Sequence, residues 1–208
     1  MKKIDWKLCM VADVEAAGGR FLPELVDEAV RAGVTMVQLR AKTLDSGDFL
    51  ILAQKLVEIL KPRQIPFIIN DRLDIAQACD ADGVHLGQRD IPLDLARRIL
   101  GRKKLIGYSV STVHEAQSAA GADYLGVGPV YFSESKQDLP KLLGTEGLKA
   151  IRKSVKNPIL AIGGIDLGNI SEVMAIGIDG VAVISAILSA PDITQAVHRL
   201  RNAIVPKL

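Results

Sequence analysis

The chain contains few of the residues that stabilise small domains or mark special environments. It has two cysteines in 208 residues, Cys9 and Cys79, and their wide separation fits a reducing cytosol better than a disulfide framework. Aromatic residues make up only 4%, so the core must be built from Ile, Leu, Val and Ala. The net charge of +2 is small, and the basic residues are scattered without interleaved aromatics, which argues against nucleic-acid binding.

Long hydrophobic runs are missing as well. No stretch of 18 or more residues is continuously apolar, and the first residues lack the apolar region of a signal peptide. We therefore expect a cytoplasmic protein without a membrane segment. At this length we expect one domain, spanning residues 1–208, that buries roughly 70% of its unfolded surface and needs no disulfide or metal for its stability.

Eight short apolar runs recur at intervals of about 25 residues, with helical patterns between them. The runs are Leu8–Ala12, Thr35–Leu39, Pro66–Ile69, Gly83–Leu86, Leu105–Tyr108, Tyr124–Val127, Pro158–Ile162 and Val181–Ile184. The helical patterns are Phe21–Ala32, Ser46–Leu60, Asp71–Cys79, Pro92–Leu100, Thr112–Ala120, Glu146–Val155, Asn169–Ile176 and Asp192–Val205. Alternating strands and helices predict a parallel α/β sheet, and eight units favour a single-domain (β/α)8 TIM barrel over an open doubly wound sheet.

Two turns at the end of the chain have the features of a phosphate site. Gly163 and Gly164 follow the seventh run, and Ile184 and Ser185 end the eighth. In barrels the loops after strands seven and eight commonly bind phosphate, and adjacent glycines let the backbone approach an anion. The alternative is that Gly163 and Gly164 only form a tight turn.

Two carboxylates follow neighbouring strands in the middle of the chain. Asn70 and Asp71 end the third run, and Asp90 lies four residues past the fourth. Because neighbouring strand ends are close together, both carboxylates could hold one Mg²⁺ ion that is bridged to substrate phosphates. Alternatively, each aspartate caps the helix that follows it.

Three polar side chains at and after the end of the second apolar run are predicted to lie on one face of the strand. Gln38, Arg40 and Lys42 alternate with apolar neighbours, and Lys136 lies in a long polar loop at residues 132–147. Polar groups that face a barrel interior need a partner, and Arg and Lys are suited to phosphate oxygens. These residues form either a ligand site or a salt-bridged cluster with the two aspartates.

No histidine or cysteine stands directly at a strand end. Cys9 and Cys79 are expected in the core, His85 inside the fourth strand is expected to be structural, and His114 and His198 are expected in solvent. Without an evident general base or nucleophile, the predicted site acts through charge compensation and positioning.

Six motifs together resemble the thiamine phosphate synthase family over nearly the whole chain. They are residues 38–42 (QLRAK), 69–72 (INDR), 83–90 (GVHLGQRD), 126–131 (GVGPVY), 162–165 (IGGI) and 181–186 (VAVISA). Each motif is weak alone, but their order and spacing match the family. The resemblance implies a transferase of thiamine biosynthesis that joins hydroxymethylpyrimidine diphosphate to a hydroxyethylthiazole phosphate, or its carboxylated form, by a dissociative mechanism with Mg²⁺ as cofactor.

The resemblance also implies roles for individual residues. It assigns Asp71 and Asp90 to Mg²⁺, and it makes Arg40, Lys42, Ser109 and Lys136 catalytic. The residues implied to contact substrates are Gln38, Arg40, Lys42, Asn70, Ser109, Ser133, Ser135, Lys136, Gly164, Ile184 and Ser185. Small molecules are the implied partners, and a homodimer is a family-level expectation.

Three other functions share the predicted phosphate site. A related thiazole tautomerase uses a histidine where this chain has Pro129, so the proton carrier would be missing. A sugar-phosphate isomerase would use Cys9 as its base, but Met10, Val11 and Ala12 continue the run beyond it. A sensor of thiamine intermediates would have little need for both Asp71 and Asp90.

Overall fold

Eight parallel strands close into one barrel in sequence order. The computed structural model describes residues 4–132 and 142–204. Each strand pairs with the next, and the last pairs with the first, so the predicted (β/α)8 TIM barrel is confirmed and the open sheet is excluded. The strands are β1 (Leu8–Asp13), β2 (Met36–Arg40), β3 (Phe67–Asn70), β4 (Gly83–Leu86), β5 (Leu105–Val110), β6 (Tyr124–Val127), β7 (Ile159–Ile162) and β8 (Gly180–Val183).

Helices connect the strands and cover the outside of the barrel. They are α1 (Leu22–Arg31), α2 (Ser46–Leu60), α3 (Leu73–Ala78), α4 (Leu93–Leu100), α5 (Val113–Ser118), α6 (Gly144–Ser154), α7 (Ile170–Ala175), α8 (Ser185–Leu188) and α9 (Ile193–Ile204). Local sequence sets several of their ends. Asp45 caps α2 by accepting from the N–H of Asp48 at 2.9 Å, and Thr112 and Glu115 form a capping box at α5. None of the helices in the described residues is both long and apolar enough to cross a membrane.

The core divides into two layers because side chains alternate along each strand. An outer layer, between strands and helices, contains Leu8, Met10 and Ala12 of β1 among many aliphatic residues. A smaller inner layer lies inside the barrel and contains Cys9 and Val11. This division confirms that the core is mainly aliphatic, as the low aromatic content predicted.

Four strands extend one or two residues beyond their predicted ends. Asp13, Arg40, Asn70 and Ser109 therefore lie within β1, β2, β3 and β5 rather than after an apolar run. The ladder continues through these polar positions, since Asp13 is in register with Arg40 and Ser109 with Gly126. In contrast, β8 ends one residue early, and Ile184 is the N-cap of the short helix α8.

Closure of the barrel requires a glycine where β8 meets β1. A Cβ atom added to Gly180 would lie 1.9 Å from the backbone oxygen of Trp6, just before β1. We expect Gly180→Ala to lower the free energy of unfolding by about 1–3 kcal/mol, because backbone would have to move. Urea denaturation measures this change.

The matched control is Gly121→Ala, because no heavy atom lies within 4 Å of a Cβ at that position. This substitution should change the unfolding free energy by less than about 0.5 kcal/mol. Equal effects of the two substitutions would contradict the packing of β8 against the segment before β1.

Candidate active site

The inward-facing positions change from apolar to polar toward the carboxyl ends of the strands. In β2, Met36 lies in the inner layer, and Gln38 and Arg40 follow it on the same face. Among the described residues the buried polar or charged side chains are Asp13, Gln38 and His85, and each belongs to a strand of the barrel. The register of the strands therefore places these polar side chains inside one part of the barrel, and the predicted site stays a prediction.

Arg40 is held at the rim by two carboxylates from the β1 end. Its guanidinium hydrogen-bonds the buried carboxylate of Asp13 and lies 3.5 Å from Glu15. Asp13 also accepts from the N–H of Ala16 at 2.8 Å, which fixes the turn after β1. Arg40 is therefore oriented by Asp13 and Glu15, so the alternative of a salt-bridged cluster with Asp71 and Asp90 is wrong for this residue.

Lys42 lies just past β2 and pairs with Asp71. Its ammonium donates to the Asp71 carboxylate across the gap between β2 and β3. Asp71 has a positive φ of 62°, a left-handed conformation that aspartate tolerates better than most residues. The Asp71 N–H donates to the carbonyl of His85 at 2.8 Å, so its backbone is anchored on β4. The salt-bridged cluster considered from the sequence is thus present for Lys42 and Asp71.

Asp90 approaches Asp71 at the same rim. Its carboxylate accepts from the N–H of Gly87 at 2.6 Å, which holds the turn after β4. The pKa of Asp90 is raised, first by burial and then by the charge of Asp71 and a hydrogen bond with it, although the Gly87 N–H and Lys42 oppose the rise. The two predicted metal ligands are therefore close neighbours at the rim.

Neither aspartate caps the helix that follows it. The N-cap residue of α3 is Arg72 and that of α4 is Pro92, and neither helix has a side-chain hydrogen bond at its cap. The capping alternative is therefore wrong for both Asp71 and Asp90. Within the described ranges no group of three or more His, Cys, Asp or Glu residues could hold a metal ion.

Ser109 is hydrogen-bonded to a buried histidine inside the barrel. His85 Nε2 lies 2.9 Å from Ser109 Oγ, and His85 Nδ1 lies 3.0 Å from the hydroxyl of Tyr124. The Ser109 carbonyl accepts from the Gln88 side chain at 2.6 Å. The prediction that His85 is structural agrees with its position in β4, and its partners connect it directly to a predicted site residue.

The paired glycines after β7 pack against the segment that follows β6. Both have positive φ, 101° at Gly163 and 60° at Gly164. A Cβ on Gly163 would lie 2.6 Å from Pro129, and one on Gly164 would lie 2.3 Å from the carbonyl of Phe132. The tight-turn interpretation therefore explains why glycine is needed at both positions.

Two backbone donors in these turns have no backbone acceptor among the described residues. Counting acceptors only in residues 4–132 and 142–204, the N–H groups of Gly164 and Ser185 donate to no backbone carbonyl. This is compatible with the predicted phosphate site at Gly164, Ile184 and Ser185, which stays a prediction. Ser133, Ser135 and Lys136, also predicted as site residues, lie outside the described residues.

Neither cysteine has the properties of a catalytic base. Cys9 is fully buried in β1, and burial raises the pKa of its thiol to about 12. Cys79 is also buried, and burial raises its pKa as well. The isomerase alternative that depended on Cys9 is therefore wrong, and the prediction that both cysteines belong to the core is confirmed.

Sequence reasoning missed three functional neighbours: Asp13, Glu15 and Tyr124. Asp13 follows the first apolar run in the same way that Arg40 follows the second, and this repetition was the available signal. The glycines at inward positions 107 and 126 signalled a large neighbouring group, since glycine in a strand often marks a close approach. Nothing in the sequence indicated that Glu15 would contact Arg40.

The chain matches known proteins over nearly its whole length. The family model for thiamine monophosphate synthase matches residues 8–187. The chain belongs to the thiamine monophosphate synthase family. A thiamine-phosphate synthase of Clostridium novyi (strain NT) is 46% identical over 201 residues, covering 96% of this chain and 98% of that protein. One from Syntrophomonas wolfei is 47% identical over 204 residues, covering 97% and 98%.

A solved structure extends the similarity to three dimensions. A thiamine phosphate pyrophosphorylase from Pyrococcus furiosus is 36% identical, covers 96% of each chain and superposes with a TM-score of 0.87. The resemblance drawn from the six motifs is therefore confirmed, and so is the expectation of a transferase of thiamine biosynthesis in the thiamine monophosphate synthase family.

The pairing of Asp13 with Arg40 should contribute measurably to stability. The Asp13 side chain is 3% exposed, so solvent screens its attraction to Arg40 only weakly. We expect Asp13→Asn to lower the free energy of unfolding by about 1–3 kcal/mol, because an amide keeps the Ala16 contact but loses the charge opposite Arg40. Urea denaturation tests this expectation.

Glu15→Gln serves as the matched control, because Glu15 is 37% exposed and lies farther from Arg40. An exposed ion pair contributes little, so this change should cost less than about 0.5 kcal/mol. If Glu15→Gln destabilised the protein as much as Asp13→Asn, the assignment of Asp13 as the principal partner of Arg40 would be wrong.

Proposed function

We propose that the chain is a Mg²⁺-dependent thiamine phosphate synthase. It would join 4-amino-2-methyl-5-hydroxymethylpyrimidine diphosphate to hydroxyethylthiazole phosphate, or to its carboxylated form, and release thiamine phosphate and pyrophosphate, with carbon dioxide as a further product of the carboxylated form. The observation that carries the proposal is the adjacent pair Asp71 and Asp90, beside Lys42 at one mouth of the barrel. Family membership supports the reaction class.

The residues present fit a magnesium ion. Asp71 already binds one cation, the Lys42 ammonium, and its charge helps to raise the pKa of Asp90, which supports a site where a divalent ion would neutralise both carboxylates. A pair of carboxylates, with water and substrate phosphates as further ligands, is the usual protein contribution to Mg²⁺. Asp71 and Asp90 would hold the ion, and when bound it would offset the charge of the diphosphate.

The cationic side chains would stabilise the departing diphosphate. The bond between the pyrimidine methylene carbon and the diphosphate oxygen breaks, and its electron pair leaves with the diphosphate. Arg40 and Lys42 lie at the rim with their charges held by carboxylates, and Lys136, which follows β6 in the sequence, would add a third positive group. Cations aimed at developing negative charge lower such barriers without moving a proton.

The remaining predicted residues would position the two rings. Gln38, Asn70 and Ser109 line the β2, β3 and β5 ends and would contact the pyrimidine portion. Gly164, Ile184 and Ser185, with Ser133 and Ser135, would bind the thiazole phosphate. The thiazole nitrogen then donates its lone pair to the methylene cation, in a dissociative sequence. Positioning of this kind can supply roughly 7–11 kcal/mol of barrier reduction. The homodimer and the cytoplasmic location stay predictions.

Removal of one carboxylate tests the metal site. With both substrates and Mg²⁺ we expect thiamine phosphate and pyrophosphate from the wild type, no product in excess chelator, and recovery on adding Mg²⁺. Asp71→Ala should lose at least about tenfold in kcat/KM, because one of two ligands is gone. Chromatography of thiamine phosphate measures product.

Asp94→Asn is the control, since Asp94 is an exposed carboxylate in the first turn of α4. It should retain the wild-type rate. A wild type that makes no product from either form of thiazole phosphate would overturn the proposed function. Full activity of Asp71→Ala would overturn only the metal assignment.

Lys136 is tested in the same way. Lys136→Ala should lower kcat/KM at least about tenfold, because one positive charge facing the diphosphate is removed. Lys103→Ala removes an exposed lysine in the turn before β5 and should leave the rate unchanged. If both lysine variants behaved alike, Lys136 would have no role at the diphosphate.

A further inference from the structure

Three polar side chains from three strands form a hydrogen-bonded chain across the barrel interior. One end is the fully buried hydroxyl of Tyr124 of β6. That hydroxyl lies 3.0 Å from Nδ1 of His85 of β4, and Nε2 of His85 lies 2.9 Å from Oγ of Ser109 of β5. The hydrogen-bonded chain thus ends on Ser109, which the proposed function assigns to the pyrimidine diphosphate.

Two glycines leave space for these hydrogen-bonded side chains. A Cβ on Gly107 would lie 2.2 Å from Cζ of Tyr124 and 2.4 Å from Nδ1 of His85. A Cβ on Gly126 would lie 2.8 Å from Cε1 of His85. On the other side of Tyr124, the Trp6 ring packs with its centroid 5.2 Å away. The positions of His85 and Tyr124 are therefore fixed by close contacts.

The donors and acceptors in the chain have one consistent direction. Tyr124 is fully buried, and burial raises its pKa well above the usual value, so the phenol keeps its proton. Within the described residues, Nδ1 of His85 is the one hydrogen-bond partner of this hydroxyl, and a buried O–H without an acceptor would be costly. The phenol O–H is then left to donate to Nδ1 of His85.

This direction determines the tautomer of the histidine. A neutral imidazole carries one proton, and when Nδ1 accepts a hydrogen bond that proton resides on Nε2. Nε2–H then donates to Oγ of Ser109. The Ser109 hydroxyl, having accepted from His85, has its own proton available for an acceptor in the site.

We propose that Tyr124 and His85 are positioning residues, which fix the direction of the hydrogen bonds from Tyr124 to Ser109 so that Ser109 donates its hydroxyl proton to a phosphate oxygen of the diphosphate substrate. This inference rests on the proposed function for the identity of the acceptor. The tautomer of His85 does not depend on the proposed function, because it is a property of the protein alone. The two can therefore fail separately.

The tautomer is measured without any substrate. The chain has three histidines, and His114 and His198 are exposed on helices, so a His114→Gln, His198→Gln variant leaves His85 as the only one. Nitrogen-15 NMR of this labelled protein at a pH of about 8, above the usual imidazole pKa of about 6.5, should show protonated Nε2 and bare Nδ1. A proton on Nδ1 would overturn the proposal.

Removal of the phenol hydroxyl tests the coupling to Ser109. Tyr124→Phe keeps the ring against Trp6 but removes the donor to Nδ1 of His85. We expect a mixed tautomer in the NMR spectrum and a fall in kcat of about tenfold, with thermal unfolding showing a folded protein. An unchanged tautomer together with unchanged kcat would overturn the role of Tyr124.

Two substitutions of the histidine separate positioning from packing. Glutamine places an amide N–H near the location of Nε2, whereas asparagine reaches only the location of Nδ1. His85→Gln should therefore retain at least about tenfold more kcat than His85→Asn, compared at equal folded fraction. Equal losses in both variants would indicate a packing role and overturn the proposal. A wild type without activity would instead contradict the proposed function and leave the NMR result standing.

Discussion

The parallel register of the closed barrel is the constraint on which the site depends. Because each strand is locked to two neighbours, inward-facing residues far apart in sequence are held side by side at one rim. Asp13 lies opposite Arg40, and Asn70 lies opposite His85. A shift of one residue in any strand would turn its site residues toward the helices. The buried aliphatic layers that stabilise the barrel therefore also determine the geometry of the site.

Within that geometry, charges are balanced in pairs that a ligand could rearrange. Arg40 is held by a nearly buried carboxylate, whereas Lys42 is half-exposed and pairs with Asp71. The Arg40–Asp13 pair is shielded from solvent and fixes the orientation of the Arg40 guanidinium. The Lys42–Asp71 pair is accessible and can exchange partners at modest cost. The proposed diphosphate and its cation would present the opposite charges to Lys42 and Asp71. The rim thus combines one fixed cation with one whose partner can change.

The repeating pattern of apolar runs was sufficient to predict the barrel and which strand ends meet. It was also sufficient to bring Asp71 and Asp90 together, because these residues follow adjacent strands. It could not assign the partner of Arg40, since the nearest carboxylate comes from β1 and is selected by register and side-chain reach. Strand ends were misplaced where polar residues continue the ladder, as at Ser109, because hydropathy alone cannot distinguish an inward-facing polar residue from a loop residue.

The interior of the barrel shows why such a polar residue is retained. Aliphatic residues at positions 107, 126 and 85 would fill the space that His85 now occupies. They would bury no polar group that requires a partner. The protein instead has two glycines and a histidine with both ring nitrogens hydrogen-bonded. This arrangement contributes more to the direction of the hydrogen bonds than to stability. A hydroxyl at the rim can rotate freely, so only a donor fixed behind it determines where its proton points. Reactions that depend on placing charge, rather than on moving protons, gain from a donor whose orientation is set before the substrate arrives.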